Sequence, residues 1–161
     1  YDKKNKIVDS RFVNLKYVIN DEWIFFSNYN SPKSKQFKSH DQISAVIYWN
    51  SINVQIRMKA KIQKTNLEFS NEHFQSRDVT KNLLAILSRQ SEPIPSYNDF
   101  LKNYEKELSL KFNNSSRPEY WGGFSFYPYY FEFWEGHNSR VNKRKFYELK
   151  NQEWKSGFLQ P

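Results

Sequence analysis

Apolar and polar residues alternate along much of the chain, and this pattern predicts mainly β-strands. Residues 7–18 form the first such segment. The turn pair Asn20-Asp21 joins them to a second strand at 23–27, so the two predict a hairpin. A short apolar strand at 43–49 and a long alternating strand at 54–64 predict a second hairpin.

Helical periodicity appears after each of these hairpins. A short helix is expected around 34–39, and residues 65–89 favour two more. Thr65 or Asn66 is expected to cap the first of the pair, and Thr80 the second, which should close at 89–93 before Pro93. Residues 96–110 fit an amphipathic helix, and a polar loop is expected at 112–117.

The stretch 118–144 contains three of the four glycines in the chain. Trp121-Gly122-Gly123 predicts a turn, because glycine tolerates positive φ and close backbone approach. The aromatic run after it is too β-prone for a helix and predicts a core strand. Segments 127–133 and 145–149 complete the set of predicted strands. A turn at 152–155 and a short terminal segment follow. These elements predict a single α+β domain, 1–161, built on a β-barrel.

Composition narrows the possible ligands. The net charge of +8 favours anionic partners, such as nucleic acid, an acidic membrane surface or a small phosphorylated compound. Because cysteine is absent, disulfides, thiolate metal sites and a cysteine nucleophile are excluded. With no apolar run that could span a bilayer and no secretory signal at the start, we expect a cytoplasmic protein without a membrane partner.

Several kinds of chemistry lack their motifs. The three histidines have no carboxylate at metal-ligand spacing, so no metal site is expected, and there is no nucleophile elbow or glycine-rich nucleotide loop. Nucleic acid is disfavoured because the aromatics crowd into strands instead of alternating with Lys and Arg. Arg140, Lys143 and Arg144 follow the indole of Trp134 closely, which suits a planar anion. A solvated basic turn is the alternative.

Short motifs that run in order through nearly the whole chain carry a more specific signal. The motifs are Arg11 with Lys16, Ser27-Asn28 with Ser31 and Lys33, Arg89-Gln90-Ser91, Trp121-Gly122-Gly123, Glu132-Phe133-Trp134 with Gly136, Arg140 with Arg144, and the ending Trp154 with Leu159-Gln160-Pro161. Together they resemble the pyridoxamine 5'-phosphate oxidase family, whose fold is an FMN-binding split β-barrel.

The resemblance implies a homodimer with FMN at the subunit interface. It assigns the phosphate side of FMN to Arg11, Ser27 and Lys33, with Phe26 in the same loop pattern. The ring and its surroundings are assigned to Gln55, Gln90 and Ser91, whereas Trp134 and Arg144 would close the site from a second subunit. Charge-assisted bonds suit a phosphate, and an isoalloxazine needs amide partners and a flat neighbour.

The substrate half departs from the family pattern. Arg77 and Lys16 match it, but His73 stands in place of a tyrosine, Lys81 in place of a serine, and Pro32 in place of an arginine of the FMN loop. The last family motif, R-L-H-D-R, is R-V-N-K-R here. By the resemblance, Lys16, His73, Arg77 and Lys81 would bind a substrate phosphate, and Arg140 and Asn142 would be catalytic residues at the substrate ring.

The resemblance therefore predicts an FMN-dependent oxidase that converts pyridoxamine or pyridoxine 5'-phosphate into pyridoxal 5'-phosphate. Two alternatives remain open: a related FMN-dependent oxidoreductase with another substrate, and a flavin-binding protein without turnover. Family members carry a helix and a further strand before the position of Arg11, whereas this sequence starts almost at the end of that strand. Two explanations stay open: a barrel with fewer strands, or an N-terminal part that is not included.

Overall fold

A computed structural model describes residues 1–3, 5–110 and 116–161 of the chain. Within these ranges it contains seven strands and four α-helices, which confirms the predicted α+β class. The strands are β1 (Leu15–Ile19), β2 (Glu22–Asn28), β3 (Gln42–Trp49), β4 (Val54–Lys64), β5 (Trp121–Glu135), β6 (Lys143–Lys150) and β7 (Glu153–Leu159). The helices are α1 (Pro32–Ser39), α2 (Leu67–Ser76), α3 (Val79–Leu87) and α4 (Tyr97–Ser109).

Strand β5 is the centre of a single antiparallel sheet. One edge of β5 pairs first with β2 and then with β6, while β4 pairs along its other edge. Pro128 and a register shift lie where the partner changes, so the missing N–H of the proline falls in an irregular part of the strand. The order is β1-β2-β5-β4-β3, with β7 beside β6, and the sheet does not close on itself. This is the expected split barrel.

The hydrophobic core lies on one face of this sheet. Inward residues of β4, among them Ile56 and Met58, pack against Phe124 and Phe126 of β5. Phe131 and Phe133, also predicted as core residues, are half-buried and pack against this cluster. The aromatic run is therefore a core strand, as predicted, because its inward positions supply large apolar side chains.

The predicted turn at Trp121-Gly122-Gly123 is wrong. These residues begin β5, and no glycine in the described ranges has a positive φ. A Cβ at Gly122 would overlap the Tyr29 side chain, and one at Gly123 would overlap Thr65. The glycines thus permit close packing against a strand and do not serve to reverse the chain.

Side-chain caps set the helix starts. Asn66 caps α2 through its Oδ1, which accepts from the Glu68 N–H at 2.7 Å, as expected. The predicted Thr80 cap is wrong, because Asp78 caps α3 by accepting from the Thr80 N–H at 2.8 Å. Ser96 caps α4.

Three further boundaries differ from the sequence prediction. The first strand begins at Leu15 and not at residue 7, α3 ends at Leu87, and the predicted turn at 152–155 lies instead at 151–152 and leads into β7. Strand β7 adds main-chain hydrogen bonds along β6, a tertiary partnership that a short polar segment does not reveal. The polar loop predicted over 112–117 lies largely outside the described residues.

Candidate functional site

The two parts of the predicted site that lie in one subunit meet in a single cleft. Its volume is about 700 Å³. Its walls come from β1 and the residues just before it, from β2, α1, α2, α3 and the segment after α3, and from the start of β5. The predicted site residues that line it are Lys16, Phe26, Ser27, Lys33, His73, Arg77, Lys81 and Gln90. Residues predicted for the cofactor and residues predicted for the substrate therefore share one cavity.

Lys33 is a buried cation at the cofactor end of the cleft. Its Nζ donates hydrogen bonds to Ser27 Oγ at 3.0 Å and to Gln90 Oε1 at 3.1 Å. No described carboxylate pairs with it. Burial, with a smaller contribution from the charge of Arg11, lowers the pKa of Lys33. A buried ammonium with only neutral partners favours an anion beside it.

Arg11, which was predicted to bind the FMN phosphate, is not among the residues that line the cleft. One of its nitrogens donates to Gln36 Oε1 at 3.0 Å, and another forms an ion pair with Asp9. Its charge nevertheless acts on Lys33. Arg11 thus adds to the positive potential at the cofactor end, although its present contacts are to protein groups.

His73 lines the cleft, and its ring lies among the aromatic rings of Tyr17, Phe26 and Trp121. Its ring stacks on Phe26 with centroids 3.7 Å apart, and its Nδ1 lies 2.8 Å from the Tyr17 hydroxyl. Burial, followed by the charges of Arg77 and Lys16, lowers the pKa of His73 to about 4. Its Nε2 is buried and has no hydrogen-bond partner in the described ranges. The imidazole is therefore neutral near pH 7, with one nitrogen unused.

Arg77 lies at the end of the cleft predicted for the substrate. Its guanidinium stacks over the indole of Trp121, with Cζ 4.4 Å from the ring centroid. Its Nη2 donates to the Lys81 carbonyl at 3.4 Å, whereas Nη1 is buried without a partner in the described part of the chain. Burial lowers the pKa of Arg77. Lys16 and Lys81 are exposed and line the same cleft. Together with Arg77 they form a second group of cations that could bind an anion.

A second group of predicted residues lies outside this cleft. Gln55 of β4, Trp134 of β5 and Arg144 of β6 are direct cross-strand neighbours, so they form one row across the sheet. Arg144 Nε donates to Glu132 Oε1 at 2.9 Å, and its Nη1 donates to the Gln160 carbonyl at 2.9 Å. This row offers an amide, an indole and a guanidinium on one sheet face.

Glu132 lies on the same sheet face as that row, two residues before Trp134 on β5, and sequence reasoning placed it in a motif without giving it a role. Its carboxylate is buried and forms ion pairs with both Arg57 and Arg144. Burial raises the pKa of Glu132, but hydrogen bonds from Arg144 and Arg57 outweigh this effect, and the pKa lies below its usual value. A lone acid inside an aromatic strand was the available signal, since a buried carboxylate needs partners.

The remaining predicted residues also lie outside the cleft. Arg140 is exposed with a φ of 62°, and Ser91 is exposed with a φ of 69°. Asn142 is half-buried, and its Oδ1 accepts a hydrogen bond from the His137 N–H at 3.0 Å. Within a single chain, the predicted catalytic pair is therefore not brought to the cleft.

Solved structures with the same fold define the class of protein. PhzG from Burkholderia lata 383, in complex with tetrahydrophenazine-1-carboxylic acid, matches all of this chain with a TM-score of 0.91 at 21% identity and is itself covered to 79%. A pyridoxamine 5'-phosphate oxidase-related, FMN-binding protein from Nostoc punctiforme PCC 73102 matches 94% of this chain with a TM-score of 0.74 at 14% identity and is covered to 80%. The chain has the fold of the FMN-binding split barrels.

Sequence relatives identify the family within that class. The chain is 34% identical over 155 residues to pyridoxine/pyridoxamine 5'-phosphate oxidase 1 of Hydrogenovibrio crunogenus. This match covers 94% of the chain and 72% of the relative. The chain is 32% identical to the corresponding oxidase of Colwellia psychrerythraea, with 94% and 70% covered. This chain belongs to the pyridoxine/pyridoxamine 5'-phosphate oxidase family of FMN-dependent oxidoreductases.

The second half of the sheet also matches a family model. Residues 121–161 match the C-terminal dimerisation region of pyridoxine 5'-phosphate oxidase, which supports a homodimer. Elsewhere, no group of described residues has the composition of a metal site. None of the described helices is long and apolar enough to cross a membrane.

Proposed function

We propose that this protein oxidises pyridoxamine or pyridoxine 5'-phosphate to pyridoxal 5'-phosphate with FMN as its cofactor. The observation that carries the proposal is the presence of two separate anion-binding groups in one cleft. Lys33 and Ser27 form the first, and Arg77 with His73 forms the second. A phosphorylated cofactor beside a phosphorylated substrate requires such a pair of groups.

The residues at the first group fit the phosphate of FMN. Lys33 supplies a buried positive charge that no described carboxylate neutralises, and Ser27 supplies a hydroxyl 3.0 Å from its Nζ. Gln90 is the amide nearest to them, and Ser91 follows it in the chain. Arg11 strengthens the local positive potential. FMN, when bound, supplies the group that accepts a hydride from the substrate.

The second group fits the phosphate of a B6 substrate. Arg77 Nη1 and His73 Nε2 are buried and lack partners in the described ranges, which is costly unless a ligand satisfies them. Lys16 and Lys81 add two exposed cations on the same walls. Trp121 holds the Arg77 guanidinium in place by stacking, so this cation is available for a bidentate contact with phosphate.

A second copy of the chain completes the site in this proposal. Trp134, Arg144, Arg140 and Asn142 all belong to the segment that matches the dimerisation region, and none of them lines the cleft of its own subunit. Their sheet face carries the amide of Gln55 as well. The indole and guanidinium of one subunit would then cover the flavin held by the other, and Arg140 and Asn142 would reach the substrate ring.

Oxidation of a different anionic substrate is the second candidate. The observation that favours it is Asn142, whose Oδ1 is already used within its own turn and whose side chain carries no charge. The two anion-binding groups would serve such a substrate equally well, provided that it bears a phosphate or carboxylate.

Purification followed by a B6 oxidation assay tests the proposal. The protein is expected to be yellow, to elute at twice its 19.6 kDa monomer mass and to form pyridoxal 5'-phosphate from pyridoxamine 5'-phosphate with oxygen consumption. A yellow dimer that neither binds nor oxidises any B6 phosphate would favour the second candidate. A colourless protein that takes up no FMN would refute both.

A further inference from the structure

We infer that Tyr17 is a positioning residue, which fixes the tautomer of His73 so that its Nε2 carries the proton and donates to the substrate phosphate. The inference rests on the proposed function, because it deepens the account of the second anion-binding group. Neither the motifs of the chain nor its relatives assign a role to Tyr17. The contact joins residues 56 positions apart in the sequence.

The geometry at Tyr17 favours one direction for its hydrogen bond. The hydroxyl lies 2.8 Å from His73 Nδ1, and this is its only hydrogen-bond partner among the described residues. The ring packs edge-on against Phe26, Phe69 and His73, which offer no other acceptor. If the hydroxyl donates to Nδ1, both groups are satisfied, whereas accepting from Nδ1 would leave the hydroxyl proton without a protein partner.

The state of the imidazole follows from this direction. His73 is neutral near pH 7, because burial and the charges of Arg77 and Lys16 oppose protonation. A neutral imidazole carries one proton, so an Nδ1 that accepts from Tyr17 requires the proton on Nε2. That nitrogen is the one that is buried and has no partner in the described ranges. The unused group is therefore an N–H donor.

The surroundings of Nε2 define the ligand that it suits. Arg77, Lys16 and Lys81 bring three cations to this part of the cleft, and among the described residues that line it Asp78 is the only one with a carboxylate. The Asp78 carboxylate is already engaged by the N–H and hydroxyl of Thr80. A phosphate would accept from Nε2 and be neutralised by the cations, while a neutral donor avoids adding a further positive charge beside Arg77.

Nitrogen-15 NMR of the FMN-loaded protein tests the tautomer directly. The spectrum of His73 is expected to show a protonated Nε2 and a bare Nδ1, and the Nε2 resonance should shift when inorganic phosphate is added. A proton on Nδ1 would overturn the inference and leave the proposed function intact, because Arg77, Lys16 and Lys81 would still bind the phosphate.

Substitution tests the positioning role. Tyr17→Phe keeps the ring and removes the hydroxyl, so KM for pyridoxamine 5'-phosphate should rise roughly two- to tenfold with kcat and FMN affinity nearly unchanged. The matched control is Tyr104→Phe, which loses a single hydrogen bond to the Thr80 carbonyl and does not line the cleft. An unchanged KM and unchanged inorganic phosphate affinity in Tyr17→Phe would also overturn the inference.

A second pair of variants separates the donor from the ring. His73→Phe removes the donor and should weaken inorganic phosphate binding roughly tenfold to a hundredfold, whereas His73→Tyr supplies a hydroxyl and should restore most of it. Equal weakening in both variants would contradict a donor role. Failure of the proposed function has a different signature: the parent protein would lack B6-phosphate turnover while His73 still showed the Nε2 proton and the shift with inorganic phosphate.

Discussion

Lys33 Nζ donates a hydrogen bond to Gln90 Oε1 at 3.1 Å, and this contact ties helix α1 to the segment that follows α3. The same oxygen accepts from Ser27 Oγ at 2.9 Å and from the Asn28 N–H at 3.3 Å. The neutral Gln90 Oε1 thus accepts three hydrogen bonds. The charge of Lys33 remains uncompensated by any described acid, so the arrangement is organised for an anionic ligand.

Replacement of Lys33 should weaken FMN binding. Loss of a charge-assisted contact with a phosphate is expected to raise the Kd for FMN in Lys33→Ala by roughly tenfold to a hundredfold. Lys35→Ala is the matched control, since Lys35 lies two residues further along α1 and is exposed. Fluorescence titration of the apoprotein with FMN measures both values. Equal affinity in Lys33→Ala and the parent would remove Lys33 from the site.

The local pattern of apolar and polar residues was sufficient to predict much of the sheet. Strand β4 has the bounds that its alternation predicted, and the hairpin turn at Asn20-Asp21 and the α4 helix were also correct. These elements show their period within a few residues, and short turns or caps bound them. Gly122 and Gly123 led to a wrong turn prediction, because they pack against Tyr29 and Thr65, which are distant in the sequence.

The site was predictable only in part, and for a related reason. Motif resemblance pointed to Lys33, Gln90 and Arg77, and all three line the cleft. It included Glu132 in a motif without assigning it a role and gave no sign of Tyr17, because the importance of these residues lies in contacts with Arg144 and His73 that only the folded chain makes. Such pairings follow from strand register and helix placement, which no short sequence window contains.

The depressed pKa of His73 predicts acid sensitivity of folding. In the folded protein this pKa is about 4, against 6.5 for an unperturbed histidine. The unfolded chain therefore takes up a proton first, and the stability contributed by neutral His73 is complete above pH 6.5 and is lost progressively as the pH falls towards 4. The free energy of unfolding, measured with urea at about pH 7 and at about pH 5, should fall by more in the parent than in His73→Tyr. The tyrosine side chain does not titrate in this range. Identical losses would argue against a buried neutral imidazole.

Glu132 should stabilise both the fold and the orientation of Arg144. Glu132→Gln keeps the shape of the side chain and removes the charge that pairs with Arg57 and Arg144. We expect the free energy of unfolding to fall by about 1–3 kcal/mol, because two guanidinium groups lose a buried carboxylate partner. Urea denaturation measures this change. Glu135 is exposed, and Glu135→Gln loses its ion pair with Lys143, so this control should change the free energy of unfolding by less than about 1 kcal/mol.

Arg77 should act mainly in substrate binding. Arg77→Ala removes the cation that lies over Trp121, so the phosphate of the substrate would lose a charge-assisted contact in the ground state and in the transition state alike. KM for pyridoxamine 5'-phosphate is expected to rise by roughly tenfold or more while kcat changes little. Steady-state kinetics with Arg89→Ala, an exposed arginine that does not line the cleft, provides the control. A fall in kcat without a change in KM would contradict a phosphate-binding role.

Asn142 decides between oxidation of a B6 phosphate and oxidation of another anion. By family resemblance a histidine would stand at this position, and asparagine can donate a hydrogen bond but cannot titrate near neutral pH or carry a charge. If the substrate is a B6 phosphate, Asn142→His should raise kcat/KM for pyridoxamine 5'-phosphate above that of the parent, most clearly below about pH 7, where an imidazole becomes charged. His137 lies in the same turn, and its N–H donates to Asn142 Oδ1, so Asn142→Ala serves as a control for loss of that turn contact. An increase in Asn142→His that Asn142→Ala does not share would support a B6 substrate. A decrease in both variants would mean that the asparagine itself takes part in oxidation of the B6 phosphate, and the expected gain from histidine would be refuted. A lack of turnover of pyridoxamine 5'-phosphate in the parent and in Asn142→His alike would favour the second candidate function.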